Sequence, residues 1–102
     1  MAHGKSVDVI RSGTAHESIT IDDTEGGVGL TAATAARVNR IFITAETADM
    51  RFRYDGGAPT STAGHLIGNG DIVILYGTSN IKNFLAIRTG DVSGVIHVTY
   101  EV

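Results

Sequence analysis

The sequence predicts a small all-β domain, one antiparallel β-sandwich or barrel of about seven strands. Three observations carry this reading. Short segments alternate apolar and polar residues with the two-residue period of a half-buried strand. Thirteen glycines stand against one proline, so turns are frequent and cheap in backbone strain. No long amphipathic helix exists that could cover a parallel sheet. At 102 residues the chain has the size of a single domain, and the strand pattern serves a sandwich and a barrel equally.

In chain order, residues 6–11 (SVDVIR) alternate Val7 and Val9 with polar neighbours and read as a first strand. Residues 1–12 together are a candidate N-terminal arm. Ser12-Gly-Thr reads as a turn, and residues 17–22 (ESITID) as a strand with Ile19 and Ile21 on one face. Residues 22–29 form a glycine-containing loop. The alanine-rich stretch 30–37 is too short to be a stable helix alone. It is a connector or one helical turn, with an extended strand left open. Residues 40–46 (RIFITAE) are β-branched and aromatic, hence a strand. Residues 50–54 (MRFRY) show the cleanest alternation: Met50, Phe52 and Tyr54 share the core face, Arg51 and Arg53 the other.

Residues 55–64 are a long loop of turn formers, and Asn69-Gly70 is a tight turn. Residues 71–77 (DIVILYG) are apolar without alternation, which predicts a strand buried on both faces, in part under a neighbouring subunit. Residues 83–88 (NFLAIR) read as a strand, and residues 90–94 as a turn. The last strand, 95–102, puts Ile96, Val98, Tyr100 and Val102 on one face and Val95, His97, Thr99 and Glu101 on the other.

Composition narrows the function. The chain is 42% hydrophobic and 19% charged, the balance of a folded domain and not of a disordered one. Its net charge of −3 and scattered basic residues do not suit a nucleic-acid binder. Its apolar runs are too short to span a bilayer, the start has no apolar signal segment, and synthesis in the cytoplasm is expected. With no cysteine, thiol catalysis, disulfides and thiolate metal sites are out of reach.

His3, His16, His65 and His97 form no close pair of the kind that binds zinc. Asp22, Asp23 and Glu25 cluster on a glycine-containing loop without EF-hand spacing, and read as a solvated acidic turn. Gly26-Gly-Val-Gly lacks the lysine and the helix of a phosphate loop. No spacing singles out a carboxylate pair or a nucleophile elbow. The expectation is therefore a non-enzymatic protein with no cofactor, working by binding or assembly. Ile72, Ile74 and Tyr76, with Arg51 and Arg53, are the candidate interface residues. Tyr76 is also the aromatic ring best placed to serve as a sugar platform, whereas Tyr54 and Tyr100 fall on core faces.

From Ile41 onward the chain has a recognisable order of strands and turns: RFRYDG at 51–56, an Ala-Pro-Thr loop at 58–60, Gly64-His-Leu, a hydrophobic strand, NFLAIR at 83–88 and a terminal Val-Thr-Tyr. This stretch resembles a group of small bacteriophage virion proteins, head or tail accessory components. The resemblance implies a virion structural protein, foremost a capsid decoration (cement) protein. Its partners would be itself, as a trimer for instance, and the major capsid protein or other virion proteins. Neck or tail components, or a carbohydrate- or receptor-binding sandwich, are the alternatives. Phe52→Ala is expected to destabilise the fold by roughly 3–5 kcal/mol if Phe52 is core. Arg51→Ala on the opposite face should cost far less. Urea denaturation of both variants checks the face assignment, and equal losses would overturn it.

Overall fold

The computed structural model describes residues 13–102, so the strand expected at 6–11 and the arm at 1–12 lie outside the described residues. The described residues form two four-stranded antiparallel sheets packed as a sandwich. The strands are β1 (Gly13–Ile21), β2 (Val28–Gly29), β3 (Arg40–Glu46), β4 (Met50–Arg53), β5 (His65–Ile67), β6 (Ile72–Tyr76), β7 (Leu85–Arg88) and β8 (Gly94–Glu101). Two single-turn helices interrupt them, α1 (Ala32–Ala35) and α2 (Thr78–Lys82). One sheet runs β1-β8-β3-β6, the other β2-β7-β4-β5.

Alternation builds the core as the sequence predicts. Ile96, Val98 and Tyr100 of β8 point inward beside Ile41, Ile43 and Ala45 of β3, and all six are buried. Met50 and Phe52 of β4 meet them from the other sheet. The helices close the ends with Ala35, Ile81 and the following Phe84. Gly94 is small for a reason: a Cβ there would strike Met50 Sδ, so any larger residue would force the buried Met50 side chain to move.

Several elements differ from the sequence reading. Of the turn expected at 12–14, residue 12 lies outside the described residues and Gly13 and Thr14 are already strand, because β1 pairs with β8 from Gly13 onward. Residues 83–84 connect α2 to β7, with Asn83 as the C-cap of α2, instead of starting the strand. β2, β5 and α2 were not expected, being two, three and five residues long. Tyr54 lies just past the end of β4 and is 36% exposed, not core. Val102 follows β8 and is half exposed, while Glu101, expected at the surface, is buried against Arg40, with Nε and Oε1 3.2 Å apart. β6 is not buried on both faces. It is the edge of its sheet, with Ile72 and Tyr76 each about half exposed, at 48% and 47%.

Glu17 ties three elements together. It accepts a hydrogen bond from the Tyr100 hydroxyl of β8, and another from Thr31 Oγ1 at 2.8 Å ahead of α1. Burial opposes ionisation of Glu17, but the hydrogen bonds from Tyr100 and Thr31 outweigh it and hold the carboxyl below its ordinary value of 4.5. Burial, then the Glu17 hydrogen bond and charge, push the Tyr100 phenol upward. A depressed carboxyl contributes stability above its unfolded pKa, and that contribution is lost as pH falls through the folded value. Tyr100→Phe is expected to cost about 1–2 kcal/mol at neutral pH, allowing for solvent at Glu17. The gap to wild type should narrow below pH 4.5. Denaturant unfolding across pH 3–7 reads both effects.

Candidate functional site: an open apolar rim

The outer faces of the two sheets are built differently. Over the β2-β7-β4-β5 sheet, the loop 55–64 folds back and buries Pro59. Pro59 sits so close that a Cβ on Gly27 would press on it and on Leu85. The arginines of β4 hold this loop. Arg51 donates to the carbonyls of Gly64 (2.9 Å) and Ser61 (3.3 Å). Arg53 grips both oxygens of Asp55 (3.0 and 2.7 Å) and reaches Ala58 O (3.4 Å). The Arg53 hydrogen bond, helped by the Gly57 amide, pulls the Asp55 carboxyl down to about 2. Both arginines share a face, as the alternation requires, but their partners lie within the chain.

The outer face of the other sheet carries no such loop. The register sets its rows: Ser18, His97, Thr44 and Ile72; then His16, Thr99, Phe42 and Ile74; then Glu101, Arg40 and Tyr76. The β1–β8 side of this face is polar. The β6 side is an apolar strip of Phe42, Ile72, Ile74 and Tyr76. The Arg40 guanidinium lies 5.5 Å from the Tyr76 ring centroid, so one face of that ring is occupied. Ile72, Ile74 and Tyr76 are thus brought together at one edge, while Arg51 and Arg53 lie on the opposite side of the sandwich.

Between the β5 and β6 edges runs a groove of about 380 Å³, lined by Phe52, Tyr54, His65, Leu66 and Ile72 among others. Tyr54 and His65 stack at 5.9 Å, and both rings touch Phe52. Leu66 is 58% exposed beside them. Sequence reasoning missed this part of the rim, because β5 is too short to show a period. Strands β5 and β6 together with Tyr54 therefore present one contiguous apolar border.

Two polar clusters remain. The larger cleft, about 720 Å³, is lined by Asp23, Glu25, Arg88 and Asp91 with loop residues 58–61. Arg88 pairs with Asp23 at 3.3 Å, beside two further carboxylates of the lining, Glu25 and Asp91. Beside it Asp22 accepts from the Thr24 hydroxyl and amide, which lowers its pKa. On the β1–β8 face, Ser18 Oγ lies 2.9 Å from His97 Nδ1, and His97 Nε2 lies 3.3 Å from Glu46 Oε2. That chain has the residue types of a hydrolytic triad. It lies on an open sheet face, where the N–H groups of the strands run in the plane of the sheet and not toward a side chain standing on it, unlike the donors of an oxyanion hole. His16 stacks on His97 at 6.0 Å. Among the described residues no three His, Asp or Glu side chains converge to hold a metal ion.

Compared with family models, curated proteins and solved structures, the chain finds no match. The site is therefore argued from its geometry. Arg51→Ala should free the 55–64 loop locally. Hydrogen exchange is expected to quicken at the Thr60 and Ala63 amides, which bond each other's carbonyls, while amides of β3 and β8 keep wild-type rates. Uniform acceleration would contradict the clamp.

Proposed function

We propose that this protein is a non-enzymatic virion structural protein of the capsid-decoration type, acting by adhesion of its β5–β6 rim to a protein surface. The observation that carries the reading is β6 itself: an edge strand with no charged residue and no proline, with Ile72 and Tyr76 half exposed. Soluble domains guard such edges with charge, proline, bulges or brevity, because a bare edge recruits another strand. An unguarded edge beside an apolar groove suits a surface meant to be covered.

The resemblance of residues 41–102 to small phage virion proteins gives the adhesive rim its context. The partner is then the assembled shell, a neck or tail position being the variant of the same role. A small rigid sandwich with a lidded face and a sticky face fits a decoration protein. A sugar-binding role has one supporting observation, the Tyr54–His65 stack at the mouth of the groove. Tyr76, the ring favoured on sequence grounds, has one face under Arg40.

Co-sedimentation with phage shells tests the reading. Saturable binding at a fixed copy number is expected, weakened about tenfold or more by Tyr76→Ser or Leu66→Ser, since exposed aromatic and aliphatic anchors dominate such contacts. Failure to bind shells, together with glycan-array binding that Tyr54→Ala abolishes, would replace assembly with sugar recognition.

A further inference from the structure

We infer that the β6 edge pairs antiparallel with the β6 edge of a second copy, about a two-fold axis at Ile74. This deepens the assembly reading above and rests on it.

Hydrogen-bond parity comes first. Gly77 N donates to Asn39 O at 2.8 Å, and Ala45 N donates to Asp71 O at 3.0 Å. With the register Arg40↔Tyr76 through Thr44↔Ile72, the bonded pairs of this ladder are 39:77, 41:75, 43:73 and 45:71. Residues 71, 73, 75 and 77 therefore turn their backbone groups toward β3. Ile72, Ile74 and Tyr76 turn theirs outward, and no strand among the described residues lies beyond β6. The Tyr76 carbonyl takes a bond from Asn80 Nδ2 at 3.0 Å, which leaves it a second lone pair.

An antiparallel copy centred on Ile74 matches outward residue to outward residue: 72 with the partner's 76, 74 with 74, 76 with 72. The contact is isologous, so it closes at two copies. Side chains follow the same symmetry. Ile72, Ile74 and Tyr76 lie on one face, so apolar side chains meet apolar side chains across the axis. β6 carries no charge, so no like charges are opposed.

The other edges are less suited. β2 and β5 are two and three residues long, and β1 presents Thr14, His16, Ser18 and Thr20 with an irregular register near Gly13. The β1-β8-β3-β6 sheets of the two copies would join into one eight-stranded sheet. The apolar strips of both copies, Phe42 included, would join at its centre as a single docking surface.

The chain has no cysteine, so an introduced one reports alone. Bonded antiparallel partners have Cα atoms about 5.5 Å apart, within disulfide reach. Ile74→Cys should oxidise to a covalent dimer. Ile72→Cys alone should not, but should cross-link when mixed with Tyr76→Cys. Wild type should be a dimer by light scattering at micromolar concentration. Ile74→Pro removes an outward N–H without touching the β3 ladder, and should weaken association about tenfold or more with the sandwich retained by circular dichroism.

A wild-type monomer, or equal cross-linking from every position, overturns the inference. If that monomer still binds shells and Tyr76→Ser weakens the binding, the assembly reading stands without self-pairing. A symmetric dimer that ignores shells keeps the self-pairing and removes the decoration role.

Discussion

The fold depends on β8 lying between β1 and β3. Both neighbours run antiparallel to it, β1 over Gly13–Ile21 and β3 over Arg40–Glu46. This central position fixes which residues face in. A one-residue slip would turn Ile96, Val98 and Tyr100 out to solvent. Two further contacts lock the register. At one end Tyr100 donates to Glu17 of β1, which also holds Thr31. At the other, Gly94 admits the Met50 side chain from the opposite sheet. Sheet pairing and sheet packing are thus specified by the same strand.

Given that frame, the two outer faces diverge for reasons of sequence. RFRYDG at 51–56 puts two arginines on an outer face just before a loop rich in free carbonyls. Fork-shaped guanidinium groups bind carbonyls and carboxylates well, so the loop returns and covers its own sheet. The β3–β6 side has no equivalent donor set facing outward, apart from Arg40, which is engaged with Glu101 and Tyr76. Its apolar strip stays open.

Much of this was legible in the sequence. β4 and β8 announce themselves, because residues half buried on one face must alternate, and β3 by its β-branched and aromatic residues. The all-β class follows from them. β6 was misread because an unbroken apolar run has two physical causes: burial between layers, or an edge whose outer face awaits a partner. Periodicity does not separate them. β5 and α2 are too short to carry a period at all. Glu101 escaped notice because its pairing with Arg40 depends on the β3–β8 register, which local pattern does not encode. The candidate site was half legible. Ile72, Ile74 and Tyr76 were marked by their apolarity, whereas Tyr54, His65 and Leu66 join them only through the folding of β5 against β4. Arg51 and Arg53 were placed on the right face, yet their carbonyl partners lie up to thirteen residues away.

The proposal of a macromolecular partner rests on the shape of the exposed apolar surface. Small-molecule sites are concave, with a few polar groups converging on a ligand. Here the cleft beside loop residues 58–61 carries one ion pair, Arg88 with Asp23, and two more carboxylates, Glu25 and Asp91. The apolar groups lie along a strand edge, the adjoining outer sheet face and the groove between β5 and β6. A strand edge offers donors and acceptors in a row at the spacing of another strand, and side chains on alternate positions. That geometry is complementary to polypeptide. A small domain has little core to spare, and leaving Ile72, Tyr76 and Leu66 in water forgoes burial it would otherwise gain. Their exposure is consistent with a chain whose final packing is completed by its neighbours.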